Sequence, residues 1–512
     1  MSCSMLTTST TPENVGLDSH RLNRIATNIV DKFVQEGALP FGHVLVARKG
    51  KICYQYKNGH VDVRKKIPVK DDSMYRIYSM TKPLTSVTLM TLHEEGMFHM
   101  TDPLSRYLPE FAKENLRVFK GNLTQSSTGE YKYDTIPCTQ DITIQMLMTH
   151  MSGLSYGFDR GGLVNPVDKL YHEFDVGTSG SRQGREDVPL DEFVVRLSKL
   201  PLMCQPGTQW NYSLSVDVQG RLVEVLTGQT LYEAMKQRLF DPLNMVDTHF
   251  HLPREKLSRM ACTYIPNPFS KADVAVMKAN QKAGKELPSS SGPLGNLIPP
   301  KHLLAVAMSG GLLDLSGPTN HRYVKGLHGV SADARYYESG GGGTVSTMHD
   351  YYQFAAMLAN GGMGLTGKRI LSRKTLQFMT VNHLPNNLDL GILSAPQYSE
   401  VGTPRGSGFG LGFSVVTDPT RQGSATSVGT FGWGGAAATY FWVDPKEELV
   451  VIWMTQLLGN GRQSSDSKYA GVGVPMRNML KAIIYGAVVD KDMTTDQTWY
   501  SGTPELPPLS HL

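Results

Sequence analysis

Leu22, Ile25, Ala26, Ile29, Val30 and Phe33 recur three and four positions apart, the spacing of one face of an α-helix. Asp18 stands upstream as its N-cap. The pattern then changes. His43-Val44-Leu45-Val46-Ala47 and Ile52-Cys53-Tyr54-Gln55-Tyr56 are separated by Arg48-Lys49-Gly50-Lys51, which predicts two strands around a glycine-containing turn. From about Asp102 to Arg335 helical patterns dominate, broken by loops. The polar Lys120–Tyr133 stretch is one break, and Ser289-Ser290-Ser291-Gly292-Pro293 is another. Beyond Gly340 strands return. Thr439-Tyr440-Phe441-Trp442-Val443 and Leu449-Val450-Val451-Ile452-Trp453 flank Asp444-Pro445-Lys446-Glu447-Glu448, a second hairpin. Met476–Tyr485 reads as a closing helix. The order helix, strands, helical insertion, strands, helix predicts an α/β (α+β) fold. Its antiparallel β-sheet is flanked by N- and C-terminal helices, with a large all-helical lobe inserted. The expected units are a discontinuous sandwich domain of residues 15–90 and 336–490, a mainly helical domain of 91–335, and tails of 1–14 and 491–512.

Composition removes several function classes. The 512 residues are 40% hydrophobic and 19% charged, enough apolar material for a sizeable core and too little charge for a disordered chain. Lys+Arg 50 against Asp+Glu 46 leaves a formal charge of +4, too small an excess on so long a chain for a dedicated nucleic-acid binder. The six-residue run Leu449–Met454 is far below the roughly 18 residues of a membrane span. Met1–Val15 is rich in Ser and Thr and lacks the apolar segment of a secretory signal. Cys3, Cys53, Cys138, Cys204 and Cys262 contain no Cys-x-x-Cys pair, so reduced thiols in a non-secreted, cytoplasmic-type compartment are expected. The proline-rich tail ends Ser510-His511-Leu512. It resembles the Ser-Lys-Leu peroxisomal address, which makes a peroxisomal import receptor an expected partner and the peroxisome an expected location.

The chemistry concentrates at Tyr78-Ser79-Met80-Thr81-Lys82-Pro83-Leu84. Leu84, Val87, Leu89, Met90 and Leu92 continue a helix that is apolar nearly all round, as buried helices are. Proline is tolerated only near a first turn, so Pro83 places Ser79 at or close to the helix N-terminus. Ser79 and Lys82, three apart, then share a face, and the positive end of the helix dipole favours negative charge developing at Ser79. A serine hydroxyl needs a base within reach. A lysine in a desolvated site can lose its proton and serve as one.

Ser79-Met80-Thr81-Lys82 resembles the active-site helix of the serine β-lactamase and penicillin-binding protein superfamily. Further segments resemble that superfamily in the same order: Ile142–Leu154 with its Thr149-His150-Met151-Ser152-Gly153-Leu154 stretch, Trp210–Asp217 with its tyrosine motif, Asp241–Thr248, Gly340–Thr347 and Gly432-Trp433-Gly434-Gly435. Within the superfamily the chain is similar to class C-like members, and among those to carboxylesterases and acyltransferases. Trp433-Gly434-Gly435 stands where β-lactamases usually carry Lys-Thr-Gly, and Tyr212-Ser213-Leu214 where they carry Tyr-x-Asn. A lysine in the third motif would attract a substrate carboxylate. Tryptophan offers an apolar face and an indole N–H instead.

The resemblance implies hydrolysis of small carboxylic esters through an acyl-enzyme, without cofactor or metal. Ser79 would be the nucleophile, and Lys82 and Tyr212 would share the proton work. The backbone N–H groups of Ser79 and Ala436 would bind the oxyanion, beside Trp433, Gly434 and Gly435. An acyltransferase would use the same residues with an alcohol or amine as acceptor. β-Lactamase or D-amino-acid peptidase activity, and a non-catalytic binding protein of the same fold, are further alternatives. Two motifs read as decoys. Gly153-Leu154-Ser155-Tyr156-Gly157 matches a nucleophile elbow but lacks the strand before and helix after. His249-Phe250-His251 lacks further ligands nearby for a metal. Asn211-Tyr212-Ser213 is formally a glycosylation sequon, and a sugar there would block the proposed site.

Overall fold

The computed structural model describes residues 8–126, 131–157, 165–174, 188–266, 337–394, 405–458 and 474–490, with a few shorter pieces such as 312–314. The Ser289–Pro293 break and the Ser510-His511-Leu512 tail lie outside the described residues.

The first helix forms in three pieces: α1 (Ser19–Leu22), a π-helical stretch (Ala26–Asp31) and α2 (Lys32–Gln35). Asp18 caps it as expected, accepting from the Arg21 N–H at 2.9 Å. Two long strands follow, β1 (Phe41–Arg48) and β2 (Lys51–Asp62), then β3 (Ile67–Pro68) and β4 (Met74–Arg76). The helix α3 (Thr81–Glu94) comes next.

The inserted lobe carries α4 (Ile144–Met148), α5 (Pro166–Glu173), α6 (Leu190–Ser198), α7 (Ser215–Thr227) and α8 (Leu231–Met235). It is not helical throughout. The polar stretch read as a loop forms a hairpin of β5 (Arg117–Gln125) and β6 (Tyr131–Pro137). Exposed polar side chains hide that hairpin from a hydrophobicity pattern, because backbone pairing needs no apolar face. A further pair, β7 (Tyr264–Pro266) and β8 (Leu312–Asp314), and the short β9 (Val345–Thr347), which pairs β4, follow in the chain.

The remaining strands are β10 (Ser407–Phe409), β11 (Ser414–Val416), β12 (Phe431–Gly434), β13 (Tyr440–Asp444) and β14 (Leu449–Met454). They join the first three in one eight-stranded sheet of order β10-β11-β12-β13-β14-β1-β2-β3. The central pair β1·β14 unites the two ends of the chain, with Leu45 opposite Ile452 and Val46 opposite Val451. Both strands are buried on both faces. Phe41, Leu45, Val450 and Ile452 face a core shared with α3 and the lobe. Val44, Val46, Val451 and Trp453 face a second core with the N-terminal helices and the closing helix Val474–Gly486. That two-sided burial is why these segments read as unbroken apolar runs rather than alternating ones.

Arg48 ties the ends of the chain together from beneath. Its guanidinium, almost fully buried, reaches Glu447 and Asp490 at 2.8 Å each and the carbonyls of Val15 and Gly16 at 3.0 Å. Across the sheet, α3 is buried along nearly its whole length. Its hydroxyls are spent on neighbours: Thr81 on Thr344 at 2.7 Å, Thr85 on the Gly340 carbonyl at 2.8 Å and Ser86 on Gln219 at 2.9 Å. Such pairing is what lets polar side chains sit in a core.

His43 on β1 is 1% exposed and shares a hydrogen bond of 2.9 Å with the Tyr75 hydroxyl through Nδ1. Burial, with the nearby Lys57 charge, pushes its pKa down to about 3. The unfolded chain takes up that proton near pH 6.5, so stability is lost as pH falls from there towards the folded value, by about 1.4 kcal/mol per pH unit. Denaturant titrations at pH 7 and pH 5 are expected to show this loss, and His43→Gln should make the slope shallower. Equal slopes in the two proteins would refute the assignment.

Candidate active site

Ser79 lies in a single 3-10 turn, Tyr78–Met80, that runs straight into α3. Pro83 occupies the third position of that helix, where no intrahelical N–H is needed. The turn is held from two sides, by Met80 N–H on the Ile77 carbonyl at 3.0 Å and by the Tyr351 hydroxyl on the Met80 carbonyl at 3.0 Å. Tyr78, immediately before the serine, has φ +46°. A non-glycine residue there stores strain of about 1–3 kcal/mol, and it turns the serine out of the sheet at the head of a buried helix.

Lys82 is one helical turn on and 1% exposed. Its Nζ donates to Ser79 Oγ at 3.2 Å, to the Tyr156 hydroxyl at 3.1 Å and to the Gly341 carbonyl at 2.6 Å. It also stands 4.9 Å from the ring centre of Tyr156 and 4.6 Å from that of Tyr212, over faces that attract cations. Burial works against the charge, but Tyr156, Tyr212 and Asp217 favour it, and the balance raises the amine above its ordinary pKa. Desolvation is opposed here by polar partners placed on every open side of the amine.

Tyr212 comes from the loop before α7, 133 residues away, and its hydroxyl donates to Ser79 Oγ at 2.7 Å. Its ring is wedged between aromatic neighbours. Tyr156 stacks on it at 5.1 Å, Trp210 at 6.1 Å, His150 tilts against it at 5.0 Å and Trp433 at 5.6 Å. His150 itself, φ +58°, is buried and takes the Ser213 N–H on Nδ1 at 3.2 Å. Burial, and then the Lys82 charge, hold it well below the usual histidine range, so it stays neutral.

The strand β12 closes the site. Trp433 donates its indole N–H to the Tyr212 hydroxyl at 3.4 Å and packs edge-on to Phe409 at 5.3 Å. Gly435 lies so near the serine turn that a Cβ there would fall 2.4 Å from the Ile77 carbonyl. Gly434 is similarly tight, with the Arg477 guanidinium 2.7 Å from a notional Cβ. Ala436 follows on an exposed turn. Ser79, Lys82 and Tyr212 are thus in mutual contact and Trp433 joins them through Tyr212, with Gly435 pressed against the turn that carries Ser79.

Tyr156 and Asp217 are the partners that sequence reasoning missed. Tyr156 was hidden inside the Gly153–Gly157 decoy, and burial pushes its hydroxyl up to about 12. The decoy serine itself, Ser155, is buried and donates to Asp168 at 2.6 Å. The segment is a loop, without the strand–turn–helix of an elbow. His249 engages Tyr232 at 2.7 Å and Lys256 at 3.0 Å through its two ring nitrogens. Asn211 is buried with its amide on Cys204, which closes the sequon to a sugar in the folded chain.

The sequence matches the family described as Beta-lactamase over residues 26–472. It is 29% identical over 426 residues to Protein Rv1367c of Mycobacterium tuberculosis, covering 82% of this chain and 86% of that one. It is 26% identical over 489 residues to Esterase EstB of Burkholderia gladioli, covering 94% of this chain and all of that one. Among solved structures, Simvastatin Synthase (LovD) from Aspergillus terreus superposes with a TM-score of 0.64 at 19% identity, covering 91% of this chain and 98% of that one. The shared fold is a mixed structure of helices and antiparallel sheet, as the hydrophobic pattern predicted. A family match over most of the length, together with a shared fold, makes this chain a member of the beta-lactamase family.

Proposed function

We propose that the protein is a serine hydrolase of carboxylic esters working through an acyl-enzyme on Ser79. The observation that carries the reading is one hydroxyl within reach of two proton carriers, Tyr212 at 2.7 Å and Lys82 at 3.2 Å. Lys82 and Tyr212 hold one transferable proton between them. The form that attacks is the one in which this proton stays on the amine and the Tyr212 oxygen is free to accept. Ser79 Oγ then adds to the ester carbonyl carbon as its proton passes to Tyr212. The tetrahedral oxyanion collapses, the C–O bond to the alcohol breaks, and Tyr212 returns the proton to the departing alkoxide. Water repeats the sequence to release the acid.

The N–H groups of Ser79 and Ala436 are the donors assigned to the oxyanion. The close approach of Gly435 to Ile77 supports this, since it sets the two turns side by side. Loss of one such donor raises a barrier by about 2.7–4 kcal/mol. The choice of ester is supported by what surrounds Ser79. Beside it, the Tyr212 ring packs on Tyr156 and Trp433, backed by buried Trp210 and Phe409, and no lysine stands in the third motif to attract a carboxylate. The similarity to Esterase EstB supports the same reading. The likeness to a synthase favours acyl transfer as the second reading; both use one acyl-enzyme and differ in the acceptor.

Intact-mass measurement with p-nitrophenyl acetate and butyrate is expected to show an acyl adduct on the wild-type protein and none on Ser79→Ala. An adduct that survives this change but is lost in Ser155→Ala would reverse the nucleophile. No turnover, together with no labelling by a fluorophosphonate, would leave a non-catalytic binding protein. Nitrocefin turnover matching ester turnover would return the β-lactamase reading. Lys82→Ala and Tyr212→Phe should each slow acylation by about 10²–10⁴-fold, whereas Ser155→Ala should label like wild type. Added alcohol separates the two leading readings: a hydrolase keeps releasing acid, whereas an acyltransferase diverts most acyl groups to the new ester.

A further inference from the structure

Lys82 is a buried amine whose direct contacts are the oxygens of Ser79, Tyr156 and the Gly341 carbonyl, with Tyr212 beside them. Among the described residues it makes no ion pair. An uncompensated ammonium in such a place costs several kcal/mol. A carboxylate stands one residue away. Asp217, in the first turn of α7 and 1% exposed, accepts on Oδ1 from the Ser339 hydroxyl at 2.6 Å and from the Gly341 N–H at 3.3 Å. Its Oδ2 is buried without a hydrogen-bond partner. Gly341 therefore has its N–H on the carboxylate and its C=O on the ammonium. A Cβ at 341 would lie 2.6 Å from Oδ2, so a side chain there would push the carboxylate aside. The same short segment is clamped to α3 by Thr85, whose hydroxyl donates to the Gly340 carbonyl at 2.8 Å.

We propose that Asp217 is the counter-charge of Lys82, acting through the backbone of Gly341, and so a positioning residue of the acyl-transfer site. The inference rests on the acyl-enzyme reading above. The ionisable groups that face the amine are Tyr156, Tyr212, His150 and Asp217. His150 is neutral and Tyr156 remains a phenol. Asp217 is the carboxylate of the group, and it stands in the first turn of α7, where the helix dipole favours negative charge. It sits five residues after Tyr212 on the same stretch of chain, so one segment delivers both the proton acceptor and the charge that keeps the proton on the amine.

A purely structural role, clamping the Ser339–Gly341 turn, makes a different prediction. Asp217→Asn keeps an oxygen for Ser339 and Gly341 but removes the charge. Lys82 then gives up its proton at lower pH, so acylation, which needs the ammonium, fails earlier on the alkaline side. Phosphonylation of Ser79 by a fluorophosphonate, followed by intact mass between pH 6 and 10, reads this directly. Wild type is expected to hold its rate to the top of the range. Asp217→Asn should fall there by about ten-fold relative to pH 7, a shift of about one pH unit. Profiles that run parallel would overturn the proposal while leaving the acyl-enzyme reading standing; a wild-type protein that is never labelled sinks that reading instead. Melting temperature supplies a second test. Asp217→Asn should destabilise the wild-type background strongly and the Lys82→Met background little. Equal losses in both, or failure to fold in both, would show a clamp and not a counter-charge.

Discussion

Keeping a lysine amine inside the protein, beside the Ser79 hydroxyl, is the constraint on which this structure turns. The Lys82 amine has lost its water, and everything that replaces water must be supplied by the chain. A backbone carbonyl at 2.6 Å, a phenol at 3.1 Å, a serine at 3.2 Å and two ring faces do so. These partners come from the 3-10 turn before α3, the loop after α4, the loop before α7 and the turn before β9. No pair of neighbouring elements could provide them, so the site exists only once sheet and lobe have closed on α3.

That closure explains where the backbone departs from easy conformations. Tyr78, His150 and Ala438 all have positive φ, and each stands within a few residues of a group at the site. Tyr78 aims the serine, His150 backs the ring of Tyr212, and Ala438 ends the turn that follows β12. Glycine does the complementary work of close approach: Gly341 against Asp217, and Gly435 against Ile77. Strain and small residues are thus placed where three distant segments must come within hydrogen-bond distance, and the buried β1·β14 pair and the Arg48 cluster hold the frame against which they are pressed.

The aromatic wall has a related role. Tyr212 is fixed by Tyr156, Trp210, His150 and Trp433, all neutral, so its hydroxyl oxygen meets the Lys82 charge in a medium of low polarity. Electrostatic interactions are stronger there than in water. Trp433 packs against both Tyr212 and Phe409, so the third motif meets Tyr212 with an apolar ring.

Much of this was legible in the residue order. The apolar runs at Val44–Ala47 and Leu449–Met454 announced two-sided strands, because burial on both faces leaves no polar alternation to confuse the reading. Pro83 placed Ser79 at a helix start through its missing N–H, and Ser79, Lys82, Tyr212 and Trp433 could be named through the resemblance of their segments to family motifs. Lys120–Tyr133 could not be recognised as a hairpin, since ladder hydrogen bonds leave no trace in side-chain polarity. Nor could Tyr156, Gly341 and Asp217 be joined to Lys82. Local pattern, with the family resemblance, pointed to the groups proposed to carry the chemistry. Tertiary packing alone decided the surroundings of Lys82, because the partners that act on its buried amine lie 74, 130 and 259 residues away as well as on its own helix.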